Sequence, residues 1–136
     1  MSIAVPTDEL AEAVAGFTFA YLVTIGEDGR PHVIAVAPVV TAEGVVVHDL
    51  GRRTLANLAA RPEATLVWPP PSIDAHSLIV DGTGTLSGES LVITPSRAVL
   101  HRPAPAPAST HPTQGSVQNP GSGCGADCIE IGEPSS

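Results

Sequence analysis

The chain has 136 residues, 43% of them hydrophobic and 15% charged, with six arginines, no lysine and a formal net charge of −8. That length suits one domain with a core of its own, and the acidic balance argues against a nucleic-acid backbone as partner, since such binding relies on a basic face to release counterions. The start MSIAVPTDEL lacks the basic region of a secretory signal, and no later stretch nears the roughly 18 consecutive apolar residues of a membrane span, so a cytoplasmic protein is expected.

Thr7 is a candidate N-cap, with Asp8 and Glu9 in a first turn whose dipole favours negative charge; Leu10, Ala13, Val14 and Phe17 follow at helical spacing. The first element is therefore predicted as a short helix ending near Gly16. From Phe17 to Ile25 the rhythm becomes that of a strand, with Phe17, Phe19, Tyr21, Val23 and Ile25 on one face and Thr18, Ala20, Leu22 and Thr24 on the other, both fairly apolar. Gly26-Glu27-Asp28-Gly29 supplies a hairpin turn into a second strand, His32 to Val40, apolar on both faces. Pro38 places part of that strand at an edge or a bulge.

A turn at Ala42-Glu43-Gly44 leads into the strand Val45 to His48, then a tight turn, then a helix with Leu55, Leu58 and Ala59 at i, i+3, i+4 and Pro62 at its end. The turn places Arg52, Arg53 and Thr54 at the helix start. Cations are usually avoided there, because free N–H groups and the helix dipole already make that end electropositive. A negative ligand would compensate, and two arginines, a hydroxyl and the close backbone approach that Gly51 allows are the parts of a phosphate cradle. The bland alternative is that both arginines simply point into water.

Ala64 to Trp68 reads as a fourth strand, broken by Pro69 to Pro71, which open a loop to about Ala75. Ser77 to Leu86 is a fifth, with Gly82 and Gly84 marking a bulge or strong curvature. Ser87-Gly88-Glu89 turns into a last strand, Leu91 to Thr94, resuming at Arg97 to His101 after Pro95. Six short strands with one helix between the third and fourth predict a small closed or split β-barrel.

The barrel domain is assigned to residues 1–102. Residues 103–136 form a second segment, where prolines punctuate Ala, Ser, Thr and Gly; too little apolar surface is available there to offset chain entropy of about 1–2 kcal/mol per residue. Both cysteines, Cys124 and Cys128 of CGADC, fall in this tail, so the body contains no disulfide framework. The five histidines, at 32, 48, 76, 101 and 111, include no HxH or HExxH pair, and no metal centre is assigned. His48, just before the cradle, and Asp49 are the polar side chains to watch, each with a structural role as its alternative; His32 reads as a solvated strand residue.

Three passages together resemble the pyridoxamine 5′-phosphate oxidase-like superfamily of flavin- and deazaflavin-binding split barrels. They are Tyr21 to Thr24 through Gly29-Arg30-Pro31-His32, then Gly44 to His48, then Leu50-Gly51-Arg52-Arg53-Thr54 through Asn57-Leu58, Arg61-Pro62-Glu63 and Leu66-Val67-Trp68. The family turn typically reads Leu-Gly-Ser-Arg-Lys, its last three residues holding the flavin phosphate. Here Arg53 matches the arginine, Arg52 the serine and Thr54 the lysine, so Arg52 stands in for the charge that the lysine would carry. The resemblance further implies a homodimer with the cofactor at its interface, the ring lying against the second and third strands near Val36, Ala37, His48 and Asp49, with Asn57 beside the phosphate site.

The function implied is that of an oxidoreductase binding FMN, or in second place the deazaflavin coenzyme, by its phosphate at Arg52, Arg53 and Thr54, and moving a hydride to or from a small-molecule substrate. FMN ranks first because a strongly acidic deazaflavin tail calls for more basic surface than six arginines supply. No residue is assigned as catalytic acid or base. The alternative is a non-catalytic split-barrel module that binds, senses or carries flavin or haem.

Overall fold

The computed structural model describes residues 2–103; the Pro/Ala/Gly-rich segment beyond, with Cys124 and Cys128, lies outside the described residues. The strands are β1 (Ser2–Ala4), β2 (Ala20–Ile25), β3 (Pro31–Val36), β4 (Val39–Thr41), β5 (Gly44–Val47), β6 (Glu63–Trp68), β7 (Ser77–Ser87) and β8 (Ser90–His101). The helices are α1 (Leu10–Val14), entered from a 3-10 turn at Thr7–Glu9, and α2 (Arg52–Ala60) between β5 and β6. The strands join in one antiparallel sheet of order β3-β2-β6-β7-β8-β5-β4, with β1 added to β8.

Eight strands replace the six expected, for two reasons. The predicted strand His32 to Val40 is cut at Ala37-Pro38, because a proline has no N–H to give a ladder. Its halves, β3 and β4, sit at opposite ends of the strand order yet remain joined through two residues, so the sheet must curl to bring its edges together there. No ladder joins β3 to β4, which leaves the barrel split rather than closed. The other addition is β1: β5 covers β8 only from Leu91 to Ile93, and Ser2–Ala4 takes the vacant edge from Val99 to His101. The 3-10 turn begins at Thr7 without a side-chain cap, in place of the N-cap expected.

The β7–β8 hairpin is the spine. Pro95 interrupts its ladder without ending β8: the register shifts between Asp81 and Gly82, and Ser96 Oγ donates to the Asp81 carbonyl at 3.1 Å, filling part of the gap. A Cβ at Gly82 would collide with the Thr94 carbonyl, which is why glycine faces the proline.

The concave face holds the core: Leu22, Leu66, Trp68, Leu78, Val80, Leu91, Ile93, Val45 and Val47 are all buried, closed at the ends by Leu10 of α1 and Leu58 of α2. On β2 the inward residues are Ala20, Leu22 and Thr24, so the bulkier row, Tyr21, Val23 and Ile25, faces outward. Cross-strand pairing continues that outer face in two rows: Val33-Val23-Thr65-Asp81-Arg97 and Ala35-Tyr21-Val67-Ile79-Val99. Within those rows Asp81 is neutralised in place, accepting from Thr65 Oγ1 at 2.6 Å and from Arg97 at 3.0 Å. Among the described residues no helix is long and apolar enough to cross a membrane.

Candidate functional site

The connection from β5 to α2 is fixed at several points before the helix begins. Asp49 adopts a left-handed backbone (φ 61°), a conformation that aspartate tolerates better than most side chains. Leu50 is buried and its N–H reaches the Glu89 carbonyl at 3.1 Å, while His48 Nδ1 lies 2.9 Å from Ser90 Oγ. The turn of the β7–β8 hairpin thus anchors the chain where α2 starts. Gly51 caps the helix in an extended conformation with no side-chain cap bond and no acidic residue in the first turn. The first-turn N–H groups are left without intrahelical acceptors.

Helical spacing divides α2 into two faces. Thr54, Leu55 and Leu58 turn inward, Arg52, Arg53 and Ala56 turn outward, and the buried Asn57 sits at the edge between the two; the outward three and Asn57 form one wall of a cavity of about 720 Å³. The β2–β3 turn, Gly26 to Arg30, with Pro31 and His32, makes the other wall. That turn is tight: the Gly26 N–H bonds to the Arg30 carbonyl at 2.9 Å, Gly29 has φ 82°, and Asp28 accepts the Arg30 N–H at 3.1 Å. The Arg30 guanidinium also pairs with Asp28 at 3.8 Å across exposed surface.

Asn57 joins the walls to the barrel. It is only 7% exposed, and its Nδ2 donates to Oγ1 of the fully buried Thr24 on β2 at 3.1 Å. Its Oδ1 has no partner among the described residues and faces Gly26, where an added Cβ would lie 3.8 Å away. Arg52 and Arg53 likewise have no ion pair among the described residues, although the chain carries 14 carboxylates.

Of the residues read from the sequence, Arg52, Arg53 and Asn57 come together in this cavity. Thr54 is 2% exposed and points away from the lining, its hydroxyl without a partner among the described residues. Val36, Ala37, His48 and Asp49 also lie outside the lining. Sequence reasoning missed Arg30, Glu27 and Asp28 as cavity residues and read His32 as solvated. The one signal for them was the position of Gly29-Arg30-Pro31 at a turn, which does not reveal what the turn faces.

Residues 6–104 match the family described as pyridoxamine 5′-phosphate oxidase. The chain belongs to that family. It is 38% identical, over 141 aligned residues covering 92% of this chain and 93% of the other, to the uncharacterized protein Mb0449c of Mycobacterium bovis. Among solved structures it is similar in fold to the conserved hypothetical protein Rv2991 from Mycobacterium tuberculosis (TM-score 0.59, 15% identity, 79% of this chain and 96% of that one). It is likewise similar to the FAD binding protein from Mycobacterium smegmatis (TM-score 0.55, 14% identity, 75% and 100%). At such identities the likeness establishes the split-barrel fold and leaves the chemistry to the site.

Proposed function

We propose that the protein is a flavin-type oxidoreductase of the cytoplasm that holds FMN by its terminal phosphate between α2 and the β2–β3 turn. The observation that carries this reading is the pair Arg52 and Arg53, unneutralised at an uncapped helix N-terminus in a chain of net charge −8, on the wall of a cavity large enough for far more than a phosphate. The residues fit the group in a further respect: the free Asn57 Oδ1 is an acceptor for a hydroxyl of the polyol chain. Thr54 contributes through the backbone N–H of the first turn rather than through its buried hydroxyl. When bound, the isoalloxazine supplies two-electron hydride chemistry; the protein supplies position and exclusion of water. The deazaflavin coenzyme is the second choice.

The reading includes a homodimer. The outer face of β3, β2, β6 and β7 carries Val33 and Tyr21, 53% and 40% exposed, among smaller apolar side chains; the carboxylate at its centre, Asp81, is already paired and the other, Glu63, lies at the end of β6, so a second copy can cover the apolar rows between them. Val36, Ala37, His48 and Asp49, outside the cavity of a single chain, are assigned to the ring groove that two copies complete. The partners are then a second copy and a small-molecule substrate.

Calorimetric titration with FMN and with the deazaflavin coenzyme tests the proposal. Micromolar binding that Arg53→Ala weakens by roughly 1.5–3 kcal/mol, the range for charge-assisted hydrogen bonds, supports it; equal binding by the variant refutes the phosphate assignment. Binding without turnover of any electron donor points instead to the non-catalytic module. Sedimentation of Val33→Glu reads the dimer: it should run as a monomer, and an unchanged dimer would place the interface elsewhere.

A further inference from the structure

The cavity is not uniformly basic. Its α2 wall carries Arg52 and Arg53, which have no ion pair among the described residues, whereas its turn wall carries Glu27 and Asp28. Asp28 accepts the Arg30 N–H and stands 3.8 Å from its guanidinium, so the third arginine of the cavity comes with a carboxylate beside it, an exposed pair that offsets its charge in part. Glu27 has no ion pair among the described residues and is exposed at the cavity. One wall therefore attracts an anion and the facing wall repels any further negative charge.

From this juxtaposition we propose that the β2–β3 turn is a charge filter: Glu27 and Asp28 restrict the site to ligands ending in a single phosphomonoester and reject those whose anionic groups continue past it. The inference rests on the phosphate cradle proposed above and specifies its ligand class. A lone phosphate on Arg52, Arg53 and the first-turn N–H groups keeps its charge on the α2 side. An extension bearing more phosphates or carboxylates from that point runs toward the turn, where Glu27 supplies repulsion and Arg30 is already held by Asp28. Specificity of this kind comes from an unfavourable contact built against the wrong ligand rather than from an added attraction. The buried Asn57, its free oxygen aimed into the same cavity, marks the space as one arranged for a ligand and not as a chance gap beside a helix end.

The test uses the full chain and two simple probes, inorganic phosphate and pyrophosphate, titrated calorimetrically at low ionic strength into wild type, Glu27→Gln, Asp28→Asn and Arg53→Ala. In the wild type pyrophosphate should gain little over phosphate despite its greater charge. Glu27→Gln should raise the preference for pyrophosphate roughly two- to five-fold, the size expected for one unit charge removed near a partly solvated ligand, and the gain should shrink in high salt. Asp28→Asn, which frees Arg30, should strengthen both anions. An unchanged preference in Glu27→Gln, with both anions still bound and Arg53→Ala weakening both, overturns the filter and leaves the cradle standing. Binding that Arg53→Ala does not weaken, or no binding of either probe, overturns the cradle and the filter with it.

Discussion

The bond from Asn57 to Thr24 carries the arginine wall, and it can be tested without any ligand. Both residues are buried, at 7% and 1% exposure, and each is the other's only side-chain partner among the described residues. Asn57→Leu keeps the forked shape at somewhat greater volume, removes the bond and leaves the Thr24 hydroxyl buried without a partner among the described residues, a cost of about 1–3 kcal/mol. Thr24→Val, nearly isosteric, strands the Asn57 amide instead and costs about 1 kcal/mol, the low end, because that side chain borders the cavity and water reaches part of it. The double variant replaces the polar pair by an apolar one of similar shape and should be nearly neutral, giving a coupling of about 2–4 kcal/mol, the sum of the two single costs. Urea denaturation followed by the fluorescence of Trp68, the single tryptophan and 1% exposed, reads all four corners of the cycle. Additivity within about 0.5 kcal/mol would refute the reasoning, since it would show that the two side chains do not depend on one another. Flavin binding supplies a second readout. Asn57→Leu should weaken it by removing the free acceptor at the cavity floor, whereas Thr24→Val should leave that acceptor in place.

Two further outcomes follow from particular side chains. Thr54→Val removes a buried hydroxyl that has no partner among the described residues and preserves shape, so it should stabilise the fold by up to about 1 kcal/mol and leave phosphate affinity unchanged; a loss of affinity would show that the hydroxyl reaches the ligand. Gly44→Ala should destabilise by about 2 kcal/mol or more on the same urea measurement, because Gly44 holds φ 139° and an added Cβ would strike the Ile93 carbonyl across the β5–β8 ladder; a cost below about 0.5 kcal/mol would mean that the β4–β5 turn is free to shift.

Much of the architecture could be read from local chemistry. The hairpin at Gly26 to Gly29, the helix after Gly51 and the break at Pro69 each rest on backbone preferences that act over a few residues. What could not be read depends on partners distant in sequence. Nothing in Ser2-Ile3-Ala4 alternates; it becomes a strand because β8 outlasts β5 and leaves an edge to cover. The faces of β2 were ambiguous because both are apolar, and the packing of Leu22 beneath the curved sheet chose the smaller row for the interior. Pro95 looked like a break between two pieces of strand, yet the glycine opposite it across the hairpin lets β8 run through without interruption by way of a bulge. The site divides along the same line. Arg52, Arg53 and Asn57 were legible because helix geometry puts them on one face, whereas the opposing wall belongs to a turn more than twenty residues earlier, brought near only by the β2–β6 pairing and the Asn57 to Thr24 bond.

The electrostatics of α2 make a prediction that ties folding to function. Arg30 and Arg97 each have an aspartate, and Arg102 reaches the Asp74 carbonyl, but Arg52 and Arg53 stand side by side at the positive end of a helix with no acid in its first turn. Each cation there opposes the helix dipole by a few tenths of a kcal/mol at low salt. Arg53→Ala should therefore make the ligand-free protein slightly more stable while weakening its ligand, the usual mark of a residue kept for binding at the expense of the fold. Phosphate should reverse the order: a ligand that binds only the native state stabilises by about 2.7 kcal/mol at a hundred times its dissociation constant, and the wild type should gain more than the variant. Thermal melts of both proteins with rising phosphate, against chloride at matched ionic strength, read the effect directly. Curves that cross as phosphate rises, with none of this in chloride, identify the arginine pair as a binding device; parallel curves would make it two solvated side chains on an exposed turn.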